Sequence, residues 1–382
     1  MEKLHDSLLL QILSRLGDSA DVACCRVASK SFNAVFPELR SINLRYTNIW
    51  SKDSSSMVTT SFKTVFLDLI SKLRMVESVC IDVDVDPTDE DFAKEWLPKV
   101  SKSLKSLSLC FPPYDIPNVL PLISAYCRSL VELHLDFGRL SVVNLNPMPM
   151  LTSLTLELTR LEDQHLTELN TCFPNLQVLN LVGVRELKDP KIHLLNLQTC
   201  HVVVYDYPPS LTLITPKLIT LKIECFVPVA IHVEAPMLSD FHLSLNTIKH
   251  VVAFSPKTFE KLKTLWLGCL YTGSLLSEFP TTKTVETLTL DSRNHEPRDA
   301  RDSKLTIRKV FTVFPNVSSL CIYSGAWSEL EACLNAEDWE ILDGRKGLKT
   351  ICAYLDLVDP SLTFSSVGPM CWLDRCLVAH PW

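Results

Sequence analysis

The sequence predicts a mixed α/β protein in which three short helices precede an irregular solenoid of repeats with a parallel sheet. Three observations predict this fold class. The 382 residues include 62 leucines, about one residue in six. The N-terminal segment 1–40 has a helical pattern and differs from the remainder. From Leu39 onward, aliphatic residues recur with the spacing L-x-x-L-x-L at short and similar intervals, which is typical of repeat proteins.

The composition narrows the possible functions. Hydrophobic residues make up 47% and charged residues 21%, which is typical of a folded globular protein and excludes disorder over most of the chain. The net charge of −7 and the absence of a basic patch argue against nucleic acid as a partner. No apolar stretch approaches the roughly 18 residues of a membrane helix, so we also expect no membrane partner.

The cysteines indicate a reducing compartment. Fourteen cysteines are scattered along the chain without a C-x-x-C pair, often inside apolar runs, as at Cys110 and Cys225. Free cysteine behaves as a small hydrophobic residue, and reduced thiols are typical of intracellular proteins. The N-terminal leucine run is interrupted by Gln11 and flanked by charges, unlike a signal peptide. We therefore expect a cytoplasmic or nuclear location, or both.

The N-terminal segment 1–40 predicts three short helices. Asp6 and Gly17 are the expected N-cap and C′ residues of a helix over 8–16. Two further helices are expected over 20–25 and 27–36. The apolar residues of the first helix cover an arc of roughly 200° at about 100° per residue. They are Leu8, Leu9, Leu10, Ile12, Leu13 and Leu16. So short a segment buries too little surface to cover so wide a stripe, which leaves either the next domain or a partner protein to complete its burial.

The L-x-x-L-x-L template, with other aliphatic residues allowed, matches thirteen times. The matches begin at positions 39, 76, 104, 130, 151, 176, 197, 218, 238, 262, 285, 317 and 348. From 104 to 285 these starting positions follow one another at the period of leucine-rich repeats. Each match predicts a short strand whose alternate residues point inward. Such a strand buries its leucines only by stacking on its neighbours.

The segments between the predicted strands differ in character. Prolines favour short extended returns near 208–216 and 228–236. Longer steps leave room for helices near 116–127 and 163–172. The serine- and threonine-rich segment 51–61 is expected to be a loop, and the charged segment 291–304 an exposed insertion. The predicted domains are 1–45, 46–350, and a C-terminal cap over 351–382.

No motif for catalysis, metal binding or a cofactor is present. The chain has no H-E-x-x-H, G-x-S-x-G, G-x-G-x-x-G or P-loop sequence. Cys200 and His201 are neighbours on a predicted strand, so they face opposite sides and cannot form a nucleophile–base pair. We therefore expect a binding protein without catalytic residues, metal or cofactor.

The N-terminal segment 1–40 resembles an F-box. The two halves of the resemblance are LHDSLLLQILSRL over 4–16 and DVACCRVASKSF over 21–32. With the repeats that follow, the chain is similar to F-box/leucine-rich-repeat proteins of the plant type. His5 stands where that family usually has proline, which removes a rigid helix start, and Phe32 stands where it usually has tryptophan.

This resemblance implies a partner and a set of binding residues. An F-box docks on a Skp-family adaptor, which is bound in turn to a cullin–RING complex. The implied adaptor-binding residues are Leu4, Leu8, Leu9, Ile12, Leu13, Leu16, Val27, Ser29 and Phe32. The repeats would capture an unknown protein substrate.

The implied function is that of a non-catalytic, substrate-recognition subunit of a Skp–cullin–F-box ubiquitin ligase. One alternative is a leucine-rich-repeat interaction scaffold without a ligase role. Another is an enzyme or GTPase-activating protein on a leucine-rich frame, although this array is irregular. Some plant-type relatives also use a small molecule to join the repeats to the substrate, and the sequence leaves that possibility open.

Overall fold

A computed structural model describes most of the chain. The described residues are 4–46, 55–83, 90–110, 118–136, 138–204, 210–225, 230–245, 259–270, 272–292, 304–331, 333–334, 341–342, 344–345 and 347–354. The chain divides into two compact units, Met1–Leu187 and Lys188–Trp382. Within the described residues, no helix combines the length and apolarity that a membrane span requires.

The first unit combines an N-terminal helical segment with a parallel sheet. Its helices are α1 (Asp6–Ser14), α2 (Ser19–Ala28), α3 (Lys30–Val35), a 3₁₀ turn (Phe36–Glu38), α4 (Ser55–Lys72), α5 (Glu90–Val100), α6 (Leu120–Tyr126) and α7 (Asp163–Cys172). Its strands are β1 (Ser41–Tyr46), β2 (Ser78–Val83), β3 (Ser106–Cys110), β4 (Glu132–Asp136), β5 (Ser153–Glu157) and β6 (Val178–Val184). The strands pair in parallel in their order along the chain.

The second unit contains a seven-stranded and a three-stranded parallel sheet. The larger sheet comprises β8 (Thr199–Val204), β10 (Thr220–Cys225), β12 (Asp240–Leu245), β13 (Thr264–Cys269), β14 (Thr287–Ser292), β15 (Ser319–Tyr323) and β16 (Thr350–Tyr354). The smaller sheet comprises β7 (Lys191–His193), β9 (Ser210–Ile214) and β11 (Ala230–Glu234), with β9 in the centre. Three helices complete the described elements: α8 (Thr272–Ser277), α9 (Ile307–Val313) and α10 (Ser324–Glu331).

The predicted fold class is confirmed. Each of the thirteen template matches coincides with a strand, from β1 to β16. The consensus leucines lie in the core, as Leu154 and Leu156 of β5 illustrate, because alternate residues of a strand face the same side. The proline-containing returns are extended, since β9 and β11 occupy them, and helices α6 and α7 fill the longer steps. The array is therefore an irregular leucine-rich-repeat solenoid.

Consecutive strands are joined by a recurring pair of hydrogen bonds. The carbonyl of Glu77 accepts bonds from the amides of Lys105 and Ser106, at 2.8 and 3.1 Å, immediately before β3. The same double acceptor recurs at the carbonyls of Arg40, Lys105, Val131, Thr152, Gln198, Ile219, Ser239, Lys263, Glu286 and Ser318. Each repeat therefore sets the starting residue of the next strand.

Some expectations need correction or fall outside the described residues. The loop expected over 51–61 is wrong from Ser55 onward, where α4 begins. The insertion expected over 291–304 lies mostly outside the described residues, because β14 ends at Ser292 and description resumes at 304. The domain limits at 45 and 350 stay predictions. Of the expected cap, residues 351–354 belong to β16 and the remainder lies outside the described part.

Candidate functional site

Helix α1 begins with a histidine cap. His5 is the N-cap, and its Nδ1 atom accepts a hydrogen bond from the backbone amide of Ser7 at 3.3 Å. The expectation that Asp6 caps this helix is wrong, since Asp6 is its first residue. The helix ends at Ser14 with Arg15 as its C-cap. Gly17 was expected at C′ but lies at C″, one residue further along the chain. A proline at this position would favour the helix start through its rigid backbone, whereas His5 favours it through this hydrogen bond.

One side of α1 forms the core of the three-helix segment. Leu9 and Leu13 are buried, and both α1 and α2 pack against α3. Val22 of α2 and Val35 of α3 are buried as well. Since Leu9 and Leu13 are enclosed by their own chain, they position α1 and do not form its outer surface.

The other side of α1 is an exposed apolar stripe. Leu4, Leu8 and Ile12 are all exposed, with 47% of Leu8 accessible. Their spacing of four residues places them on the same side, one turn apart along α1 and its N-terminal extension. Val27 of α2 is exposed at 91%. These four predicted residues are therefore accessible to solvent.

The remaining predicted residues are partly buried. Leu16 follows α1, Ser29 lies between α2 and α3, and Phe32 lies on α3. The structure therefore divides the nine predicted residues into four that are exposed, three that are partly buried, and the buried pair Leu9 and Leu13. What these residues bind stays a prediction.

Polar contacts hold the segment in place. Asp18 caps α2 by accepting a hydrogen bond from the amide of Ala20 at 2.9 Å. The Arg26 guanidinium lies 3.7 Å from the centroid of the Phe36 ring, and its Nε donates to Asn33 Oδ1 at 3.2 Å. The contact between Arg26 and Phe36 could not be predicted from the sequence. The two residues are ten positions apart, and only the path of the chain between them shows that they meet.

A second set of contacts ties α2 to the first strand. The amide of Asn43, on β1, donates to the Ser19 hydroxyl at 3.1 Å. The Asn43 side-chain amide also donates to the carbonyl of Gly17. The helical segment is therefore anchored to the first repeat at the start of α2.

The solvent face of the larger sheet in the second unit carries a cluster of polar and charged side chains, in which Lys222 is in register with His201. Lys222 Nζ lies 2.7 Å and His201 Nε2 3.7 Å from Oε1 of Glu224. Desolvation favours the protonated form of Glu224, but the hydrogen bond and the charge of Lys222 outweigh it, so the pKa of this carboxyl is lowered. Lys222 and Glu224 therefore form an ion pair on this face of the sheet.

Cys200 and His201 do not form a nucleophile–base pair in the structure. Cys200 is buried and His201 partly exposed, on opposite sides of β8 as predicted. Burial raises the pKa of the Cys127 and Cys200 thiols to about 12, so neither is a nucleophile at neutral pH. Among the described residues, no group of three or more His, Cys, Asp or Glu side chains is placed to hold a metal ion.

A three-helix segment with an exposed leucine stripe, followed directly by a leucine-rich-repeat sheet, defines the class of F-box proteins that carry repeats. An F-box/LRR-repeat protein of Arabidopsis thaliana is 36% identical to this chain, over 96% of the chain and 87% of the relative. An F-box protein of the same plant is 25% identical over 59% of this chain and 54% of that protein. No protein-family model matches the sequence. The chain belongs to the F-box/leucine-rich-repeat family, as the resemblance of segment 1–40 and of the repeats predicted.

Proposed function

We propose that this chain is the substrate-recognition subunit of a Skp–cullin–F-box ubiquitin ligase. The supporting observation is the exposed stripe of Leu4, Leu8 and Ile12, with Val27 exposed on the next helix. Apolar side chains on the solvent side of so small a unit are stabilised by burial against a second protein. The family to which the chain belongs carries an F-box, and a Skp-family adaptor is the partner that this module implies.

This chain would act by holding the target protein close to the ubiquitin-charged enzyme and would not itself carry out a chemical step. The helical segment would hold the adaptor and, through it, a cullin–RING complex, while the repeats bind a target protein. Linking the two sites raises the effective concentration of target lysines near the ubiquitin-charged thioester. This chain would contribute no catalytic residue and no cofactor.

The first test is co-purification of the full chain with a Skp-family adaptor. Leu8→Asp or Ile12→Asp should abolish binding, because each places a charge in an apolar interface. Val65→Asp is the matched control, since Val65 on α4 is 49% exposed against 47% for Leu8 and lies outside the helical segment. It should leave adaptor binding unchanged.

Circular dichroism of each variant separates lost binding from lost folding. Adaptor binding that survives both changes in α1 would refute the proposed docking surface. If the folded wild-type chain binds no adaptor, the alternative function, a leucine-rich-repeat scaffold without a ligase role, becomes the better one.

We also propose that the protein resides in the cytoplasm, the nucleus or both. The cysteines of the described residues are all free, and Cys127, Cys172, Cys200, Cys225 and Cys269 are buried. Reduced, buried thiols suit a reducing compartment. Imaging of a fluorescent fusion tests this directly, and a secreted product would contradict it.

A further inference from the structure

Two cysteines occupy the same register position on neighbouring strands of the second unit. Cys321 lies on β15 and Cys352 on β16, and the parallel pairing of these strands places them directly beside each other. Both carry thiols. Among the paired strands that the structure describes, this is the one position where two cysteines are in register.

Both side chains lie on the solvent face of the sheet. Leu320 and Ile322 are buried on either side of Cys321, so the alternation of a strand directs the cysteine to the opposite face. Ala353, next to Cys352, is buried in the same way. Both cysteines are half-buried, so a small reagent can reach this pair.

The next pair on the same face shows that side chains meet across these two strands. Tyr323 and Tyr354 follow the cysteines by two residues and are also in register. Residues two apart on a strand share a face. The two tyrosine ring centroids are 4.8 Å apart, and the ring planes differ by 22°. The β15–β16 ladder therefore brings side chains on this face into direct contact.

The spacing of the strands suits a disulfide that forms under mild strain. Paired strands are about 4.8 Å apart, within the range of about 4.4–6.8 Å between the Cα atoms of a disulfide. Its Cβ atoms need a separation of about 3.5–4.5 Å, so β16 must move slightly towards β15. Within the described sheet β16 is the last strand, so this movement breaks no second described ladder. Strained disulfides are the readily reduced ones.

We propose that Cys321 and Cys352 form a site of reversible oxidation by a low-molecular-weight disulfide such as glutathione disulfide. One cysteine thiolate attacks a sulfur of glutathione disulfide, which forms a mixed disulfide and releases one glutathione. The second thiolate attacks the protein sulfur of the mixed disulfide, which forms the Cys321–Cys352 bond and releases the second glutathione. Two protein thiols are oxidised, one glutathione disulfide is reduced, and the two thiol protons pass to the released glutathione molecules.

Oxidation at this site fastens the last described strand of the larger sheet to its neighbour. Disulfides in reducing compartments are usually transient and redox-sensing, so the dithiol is the resting form and the bond forms when glutathione disulfide accumulates. This inference goes beyond the proposed ligase role and does not depend on it. Both cysteines belong to the second unit, whereas the helical segment belongs to the first.

The test is differential alkylation of the full chain in glutathione buffers of increasing oxidised fraction. The buffers are at pH 8, where a thiol with the ordinary pKa of about 8.5 is partly ionised. Remaining thiols are blocked with N-ethylmaleimide, disulfides are then reduced, and the released thiols are labelled with iodoacetamide and located by mass spectrometry. Cys80 is the matched control, because it is half-buried on β2 and is in register with Ser108 on β3.

Cys321 and Cys352 should be oxidised together. Their ratio of oxidised to reduced form should exceed that of Cys80 by about tenfold, because the second thiol acts at a high effective concentration. Digestion before reduction should yield the two segments joined and lighter by two hydrogens than the separate segments. Hydrogen exchange in β16 should slow on oxidation.

Cys321→Ser and Cys352→Ser should each prevent the link and the slower exchange. Circular dichroism checks that both variants fold, and the wild-type measurement does not depend on them. The inference is overturned by equal oxidation of Cys80 and the pair, or by glutathione adducts that persist on Cys321 or Cys352 without a link. A disulfide from either residue to any other cysteine, or to a second chain on non-reducing electrophoresis, also overturns it.

Discussion

Helix α1 and strand β5 are both leucine-rich, but they place their leucines differently. In β5, Leu154 and Leu156 are both fully buried. In α1, Leu9 is buried while its neighbour Leu8 is 47% exposed. Strand β5 therefore buries both of its consensus leucines, whereas helix α1 leaves Leu8 exposed. This difference indicates which leucines serve stability and which are available to a partner.

The difference follows from the two periodicities. A strand alternates every second residue, so the x-L-x-L pattern directs all its leucines to one side. A helix distributes adjacent residues around its axis at about 100°, so a run of leucines necessarily faces more than one direction. The leucine run of α1 is thus suited to contact two surfaces.

Truncating one leucine of each kind tests this difference and should have the largest effect. Leu156→Ala should lower the free energy of unfolding by about 2–5 kcal/mol, because it leaves a cavity in the core. Leu8→Ala should cost less than about 1 kcal/mol, because the side chain is already partly hydrated. Urea denaturation of both variants measures the difference. Equal losses would show that Leu8 is a core residue.

Two glycines extend the comparison to backbone packing. A Cβ at Gly325, the second residue of α10, would lie 1.9 Å from the carbonyl oxygen of Ser292, so Gly325→Ala should cost about 1–3 kcal/mol through overpacking. At Gly17, in the helical segment, a Cβ atom would have no atom within 4 Å other than those of Gly17 and its chain neighbours. Gly17→Ala should change stability by less than about 0.5 kcal/mol. Thermal denaturation of both variants checks this, and a reversal of the order would contradict the packing described.

Asp18 caps α2, the helix that carries the exposed Val27. Asp18→Ala should cost about 1 kcal/mol, since it removes the acceptor for the amide of Ala20. Asp18→Ser retains a capping oxygen and serves as the control. Hydrogen exchange at the start of α2 should rise in the first variant only. If it rises equally in both, the cap does not hold this helix.

The smallest expected effect is a pH dependence at Glu329 of α10. Burial raises the pKa of this carboxyl, although the Ser292 hydroxyl donates to it at 2.5 Å. A raised pKa in the folded state contributes stability at low pH that is lost as the pH rises through that value. The melting temperature of wild type, relative to Glu329→Gln, should therefore fall from pH 4 to pH 7. Glu331→Gln, at an exposed position of the same helix, is the control and should show no such trend.

Most of the repeat architecture could be predicted from the leucine spacing. The thirteen template matches locate thirteen strands, since one periodic pattern and one burial rule determine both. The start of α4 at Ser55 was not predicted, because serine and threonine have weak helix propensity and packing decides their state. The pairing of β7, β9 and β11 was also missed, as short extended returns carry no sign of their partners.

The site was predictable only in part. The first helix could be located, but sequence alone could not separate Leu9 and Leu13 from Leu8 and Ile12, because the direction of α3 decides which are covered. The packing of the Trp266 ring over Gly268 could not be predicted, because the template describes the leucines and not the residues between them. Tryptophan followed two places later by glycine was the available signal.

The paired hydrogen bonds at the start of each strand have an evolutionary consequence. The spacing between successive template matches varies along the chain, yet the strands within each unit do not slip in register. Each strand takes its alignment from the carbonyl before the previous strand and not from the length of chain between them. Insertions and deletions can therefore accumulate in the returns while the solvent-facing rows of the sheet stay aligned. The scaffold can diversify in length without losing the geometry of its sheet.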